Sequence, residues 1–318
     1  MEIFLILLKI TVIGALAAAL LALVTAFVCF RMVFWNQRKP EPELPIPDGK
    51  EYEPYQEKMK DGIRRAMALP YEEFTITSFD GLKLFGRYYE KEKGAPIELM
   101  LHGYRGSAKR DMSEGIFRAF AVGHNAFVVD HRASGQSEGN IITFGINEKK
   151  DSLQWLDFII EHFGSDTKVI ITGISMGAST ALMCSGESLP ENVVGILADC
   201  GYTTAPEIIK KVIRDMKLPP KIFYPFVRLG GKIFGGFDIE DANATAATER
   251  SKIPTILYHG DVDGFVPAYM SEKNYEACGA RKALVIIEGA EHGLCYLQDP
   301  ERYVRTLADF FPEYSKVD

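Results

Sequence analysis

A mostly parallel β-sheet covered by helices on both faces, carried behind one apolar N-terminal helix, is the α/β architecture the sequence predicts. Three observations point to it. The chain has 318 residues of which 47% are hydrophobic, enough for one large domain and a short appendage. Its first thirty residues are almost wholly apolar. Beyond residue 70, short apolar runs alternate with longer helix-like segments, a rhythm that requires crossover connections between parallel neighbours.

Residues 3–30 carry one charge, Lys9, and residues 10–30 carry none. A bilayer core needs about 20 apolar residues, so this stretch is long enough to cross one. Trp35 follows as an interfacial anchor, with Arg31, Arg38 and Lys39 on the same side. The cations are denser after the span than before it, which by the positive-inside rule places the rest of the chain in the cytoplasm. A signal peptide is the competing reading, because Val24-Thr25-Ala26 resembles a small-residue cleavage site; against it stand the length of the run and the missing basic cluster at its start. The expected division is an anchor over 1–34, a linker and lead-in segment over 35–70, and a catalytic domain over 71–318. Pro40 to Pro54 punctuates that linker.

The formal net charge of −7 offers no basic field to a phosphodiester backbone, so a nucleic-acid partner is not expected. Cys29, Cys184, Cys200, Cys278 and Cys295 contain no C-x-x-C pair and no zinc-like spacing; they read as core thiols in a reducing compartment. Neither a metal nor a cofactor is expected.

Residues 74–78 and 82–89 read as strands joined through Asp80-Gly81, a hairpin signal. Further strands are expected at 97–101, 126–129, 169–172, 193–198, 255–258 and 283–287, and helices at 147–163, 178–184 and 300–311. In such sheets functional groups collect at the carboxyl ends of the strands.

Gly173-Ile174-Ser175-Met176-Gly177 lies between a strand and a helix, the setting in which G-x-S-x-G presents its serine on a sharp turn. A serine needs a base. Among six histidines, His292 in Gly289-Ala290-Glu291-His292-Gly293 sits on the loop after the last strand, where this architecture places it. The orienting acid belongs between them, and spacing leaves Asp261, Asp263 and Asp199 open. An oxyanion needs two fixed donors. The N–H of Met176, at the start of a helix, is one. The loop His102-Gly103-Tyr104-Arg105-Gly106-Ser107 is expected to supply the other, with the N–H of Tyr104 as the candidate; the alternative is that Tyr104 serves only as a wall of the pocket.

Residues 74–311 thus resemble an α/β hydrolase of the serine aminopeptidase-like and bacterial membrane-anchored esterase-like branch. The resemblance is carried by His102-Gly103, by Asp130-His131-Arg132-Ala133-Ser134-Gly135-Gln136-Ser137, by Gly173 to Gly177, by His259-Gly260-Asp261-Val262-Asp263 and by Glu291-His292. It implies the triad Ser175, Asp263 and His292, because the family's acid stands at the second aspartate of H-G-x-x-D. It also implies an architectural role for the Asp130 loop, which departs from the family form R-G-x-G-x-S in having Ala133 where glycine is usual.

The stretch 201–252 is too long for a simple loop and reads as a helical cap. Its aromatic residues, Phe223, Tyr224, Phe226, Phe234 and Phe237, either pack a small core of their own or form an apolar lid over the substrate. The function expected is cleavage of small carboxylic esters through an acyl-enzyme. Amide or peptide cleavage and a non-catalytic membrane scaffold are the alternatives.

Overall fold

The computed structural model describes residues 1–37 and 40–316; Arg38 and Lys39, two of the cations expected to flank the apolar helix, lie outside the described residues. Eight strands form one sheet: β1 (Glu72–Thr77), β2 (Lys83–Tyr89), β3 (Ile97–Leu101), β4 (Asn125–Asp130), β5 (Val169–Ile174), β6 (Val193–Asp199), β7 (Thr255–Gly260) and β8 (Lys282–Ile287). Their spatial order is β1-β2-β4-β3-β5-β6-β7-β8. β1 and β2 pair antiparallel, as the Asp80-Gly81 turn predicts, and β2 also runs antiparallel to β4; every pairing from β4 to β8 is parallel.

The helices are α1 (Glu2–Val33), α2 (Gln56–Ala68), α3 (Ala108–Asp111), α4 (Ser113–Ala121), α5 (Ile146–Phe163), α6 (Met176–Ser185), α7 (Ala205–Asp215), α8 (Pro220–Gly230), α9 (Ala244–Arg250), α10 (Tyr269–Ala277), α11 (Cys295–Gln298) and α12 (Pro300–Phe310). Their starts follow from local chemistry. Thr204 accepts a hydrogen bond from the N–H of Glu207 at the head of α7, and Asp299 accepts one from Arg302 at the head of α12, each with proline in the first turn.

The central strands are buried on both sides, which is why they read as continuous apolar runs. Alternate residues serve different layers. Leu99, Leu101, Val169 and Ile171 pack with Trp155 and Leu156 of α5 and with Ala178 and Ala181 of α6. On the opposite side, Met100 and Val128 pack with Ile116 and Ala119 of α4, and Ile170 and Leu197 with Tyr303 and Leu307 of α12.

α1 is the one helix among the described residues long and apolar enough to cross a membrane. Its C-terminal turns belong to the domain: Ala26, Phe30 and Phe34 are buried, and Phe30 and Phe34 join the main core. α1 rests on α8, where a Cβ at Gly230 would come within 2.4 Å of the Ala26 carbonyl oxygen. Between β6 and β7, α7, α8, a π-helical turn at Gly231–Gly235 and α9 occupy the expected cap region. Two of its aromatic residues lie against the end of α1: Phe234 is 5.1 Å from Phe27 and 5.8 Å from Phe30, and Phe237 is 5.0 Å from Phe34, while the Tyr224 hydroxyl donates to Glu240 within the cap.

Beneath the sheet's centre lies a buried ionic cluster. Arg118 donates to both carboxylate oxygens of Glu98, which also receives His124 and the hydroxyl of Thr172. Burial alone would raise Glu98, but the charge of Arg118 and the bond from His124 outweigh it and bring the group down to about 2. Removing one member of such a pair leaves the other charge stranded. Arg118→Met is expected to destabilise the fold by about 3–5 kcal/mol, read as a lowered urea midpoint for the full chain in detergent.

Candidate active site

β5 ends at Ile174, and the chain turns directly into α6 with Ser175 at φ 54°, ψ −116°. For a non-glycine residue this conformation costs about 1–3 kcal/mol and persists only where surroundings impose it. Here they do. The N–H of Ser175 donates to the Asp199 carbonyl at 2.8 Å. A Cβ at Gly173 would lie 2.2 Å from the Gly177 carbonyl, and one at Gly177 would lie 1.9 Å from the Leu101 carbonyl oxygen. Both glycines of the motif are therefore demanded by backbone packed against backbone.

The structure brings Ser175, His292 and Asp263 together from three loops. His292 Nε2 lies 2.9 Å from Ser175 Oγ, and its Nδ1 lies 2.7 Å from Asp263 Oδ2. A carboxylate can only accept, so the imidazole carries its proton on Nδ1 and offers the Nε2 lone pair to the hydroxyl. Asp263 is held in turn: its Oδ1 accepts the N–H groups of Phe265 and Val266 at 2.9 and 2.8 Å. All three side chains are buried, and the Phe265 ring lies 5.1 Å from the imidazole.

Of the three acids left open by spacing, only Asp263 faces His292. Asp261 accepts the N–H of Gly289 at the surface, and Asp199 accepts the Tyr303 hydroxyl. Burial raises the Asp199 carboxyl above its ordinary value, against a bond from the Cys295 thiol.

His259 is a participant that spacing did not single out. Its Nε2 donates to the Val266 carbonyl at 2.7 Å and lies 3.3 Å from Asp263 Oδ2, while its Nδ1 accepts the Ser271 hydroxyl. Burial alone would raise Asp263, but bonds from His259 and His292 outweigh it and hold its carboxyl well below the ordinary range. Its charge therefore supports the fold above the usual carboxylate pKa and is lost only as pH falls through the depressed folded value. The i, i+4 spacing of histidine and acid in His259-Gly260-Asp261-Val262-Asp263 was the available signal.

The loop after β3 lies against the serine, with the Cβ position of Gly103 3.5 Å from Ser175 Cβ. His102 fixes it: Nδ1 donates to the Gly103 carbonyl, Nε2 accepts the N–H of His131, and burial drives the imidazole down to about 4, keeping it neutral. The N–H of Gly103 is taken by Asp111 at 2.9 Å, a partner not legible in the sequence. Tyr104 follows, lining the cavity that holds Ser175 and His292. Met176 opens α6, so its N–H has no intrahelical acceptor.

The Asp130 loop braces the neighbouring turn. Asp130 accepts the N–H groups of Ala108 and Gln136, and a Cβ at Gly135 would collide with its carboxylate. Ala133 adopts φ 63° and its N–H bonds to Glu138, so alanine takes up the left-handed conformation for which glycine is usual.

The cavity beside Ser175 has a volume of about 290 Å³. Its lining includes Tyr52 and Met59 from the lead-in segment, Ile174, Leu197, Phe265 and Tyr296. Among the described residues no cap residue lines it, and Phe234 and Phe237 pack at the end of α1. Cys200, Asp263 and His292 present ligand-type atoms within 4.8 Å of one another. Burial pushes the Cys200 thiol far up, and Asp263 and His292 direct their facing atoms at each other, which suits a hydrogen-bonded relay better than a metal.

A family model described as the alpha/beta hydrolase fold matches residues 99–252. The uncharacterized protein YqkD of Bacillus subtilis is 28% identical over 190 residues, 59% of this chain and 62% of that protein. The uncharacterized protein YfhR of Escherichia coli O157:H7 is 25% identical over 170 residues, 53% of each chain. The chain thus spans between half and two thirds of the length of these relatives. Among solved structures, the Pyrococcus furiosus esterase Pf2001 superposes with a TM-score of 0.64 at 23% identity, covering 88% of this chain and 100% of that one.

The close approach at Gly177 generates a direct test. Gly177→Ala is expected to overpack the elbow and cost about 1–3 kcal/mol, read as a lowered thermal midpoint, whereas Gly14→Ala, a helical position whose Cβ would meet nothing within 4 Å, leaves the midpoint unchanged.

Proposed function

We propose that this chain, which belongs to the α/β-hydrolase superfamily, is a serine hydrolase that cleaves carboxylic esters through an acyl-enzyme. The observation that carries the reading is the unbroken relay from Ser175 Oγ through His292 to Asp263, built on a turn that thrusts the serine against the oxyanion loop.

The chemistry follows from that relay. As Ser175 Oγ attacks the ester carbonyl carbon, its proton passes to His292 Nε2 and the carbonyl electrons move onto oxygen. Asp263 holds the imidazole in the productive tautomer and stabilises the imidazolium. The N–H groups of Met176 and Tyr104 take the oxyanion; one such donor contributes roughly 10²- to 10³-fold in rate. Collapse of the intermediate expels the alkoxide, which receives the proton from Nε2. Water then repeats the sequence on the acyl-enzyme, with His292 as base and Ser175 as leaving group.

The cavity fits a modest apolar acyl or aromatic group, given Tyr52, Met59, Leu197 and Tyr296 in its wall. One observation favours amide cleavage as a second reading: Asp48 and Glu51 also line the cavity and could receive a substrate ammonium. The bilayer is the partner proposed for α1, with the catalytic domain on the cytoplasmic side, the side of Arg31, Arg38 and Lys39.

Ser175→Ala is expected to abolish both p-nitrophenyl ester turnover and fluorophosphonate labelling; persistent labelling of that variant refutes the nucleophile. Asp263→Asn, which leaves the imidazole in the wrong tautomer, is expected to lower kcat by roughly 10⁴-fold and, because the paired charge is lost, to lower the thermal midpoint as well. In a panel of paired acyl esters and aminoacyl amides, kcat/KM should favour the esters; a preference for aminoacyl amides that is lost on Asp48→Asn and Glu51→Gln would select the second reading.

A further inference from the structure

The end of α1 touches the same loop that approaches the serine. The hydroxyl of Tyr104 donates to the Val33 carbonyl at 2.7 Å, and Arg105 Nη2 donates to the carbonyls of Met32 and Trp35 at 2.8 and 3.0 Å. Met32 and Val33 lie in the last turn of α1, where carbonyl oxygens lack helical donors and a cation is favoured by the helix dipole. Arg105 sits at φ 51°, a conformation a non-glycine residue holds only under constraint. The Tyr104 ring packs 5.0 Å from Phe144, Phe144 packs 5.9 Å from Phe34, and Phe34 is fully buried.

Beyond Phe34 the chain stays attached. The N–H of Asn36 donates to the Asn140 carbonyl, its side-chain amide donates to the Ala133 carbonyl, and the N–H of Ile142 donates to the Phe34 carbonyl. Residues 26–36 therefore behave as part of the domain, whereas most of α1 before them is exposed on every side. Loss of residues 27–36 would strip the acceptors from Tyr104 and Arg105 and uncover the core around Phe34.

We infer that the C-terminal end of α1 is retained and acts as a positioning element for the oxyanion site, aiming the backbone N–H of Tyr104 through the bonds to Val33, Met32 and Trp35. The inference rests on the esterase reading for its kinetic consequence. Tyr104 and Arg105 act here through their side chains as positioning residues; the donor to the substrate is the main chain.

The experiment uses the full chain in phospholipid nanodiscs, with Tyr104→Phe and Arg105→Gln. Turnover of p-nitrophenyl butyrate is normalised to sites titrated with a fluorophosphonate, and a trifluoromethyl ketone serves as the tetrahedral mimic. The expected result is a fall in kcat of about 5- to 50-fold, KM within about twofold, and a ketone Ki raised by the factor lost in kcat. Unchanged kcat per titrated site, or a change confined to KM, overturns the inference. Amide hydrogen exchange of residues 102–107 on the same samples gives a readout that needs no turnover: protection should drop in both variants, and undiminished protection overturns the coupling. Wild-type protein that neither labels nor hydrolyses, with exchange still coupled to Tyr104 and Arg105, defeats the esterase reading alone.

Discussion

Everything at the candidate site depends on the close passage of one backbone past another at the Ser175 turn. Gly177 lies so near the Leu101 carbonyl that any side chain there would overlap it, and Gly173 faces Gly177 just as tightly. That contact lets β5 end and α6 begin with Ser175 alone between them, which forces Ser175 into its positive φ and projects the hydroxyl out of the sheet. It also sets the spacing between the serine and the loop after β3, because the same Leu101 leads directly into His102 and Gly103.

Around this turn, charge is managed by giving each buried polar group a fixed partner. Asp263 accepts from the His292 imidazole and from two backbone N–H groups and lies 3.3 Å from His259 Nε2, so its buried anion has fixed partners. His259 turns its Nε2–H to the Val266 carbonyl and His292 turns its Nδ1–H to Asp263 Oδ2. Deeper down, Glu98 gathers Arg118, His124 and Thr172 in the same manner. Such clusters make the strand ends rigid, and rigid strand ends keep three distant loops at hydrogen-bonding distance.

The two ends of the lead-in segment supply what the sheet alone does not. Towards α1, the chain fastens to the loops after β3 and β4; towards α2, Tyr52 and Met59 form part of the cavity wall, and Ile63 and Ala66 are buried, Ala66 packing with Met112 and Ile116 of the α4 layer. The cap, whose aromatic residues read either as a small core of its own or as a lid, gives Phe234 and Phe237 to the end of α1. A lid and an anchor socket have the same composition, since both need apolar surface that looks outward from the main sheet, and only the position of a second element separates them.

The sequence by itself determined the sheet, the order of its elements and the identity of the elbow, because these are written in local patterns: apolar runs of strand length, helical intervals, and glycines flanking a serine between the two. Spacing narrowed the acid to three aspartates, and resemblance chose Asp263, the one that faces His292. Tertiary structure alone decided that His259 shares this carboxylate, that Asp111 holds Gly103, that Ala133 takes a left-handed turn, and that α1 grips Tyr104 and Arg105. His259–Asp263 and Asp111–Gly103 lie four and eight residues apart and follow the turn of one loop, whereas the grip of α1 joins residues about 70 positions apart. Nothing local encodes such a pairing, because it exists only once the chain has closed on itself and buried polar groups must find whichever partners lie within reach.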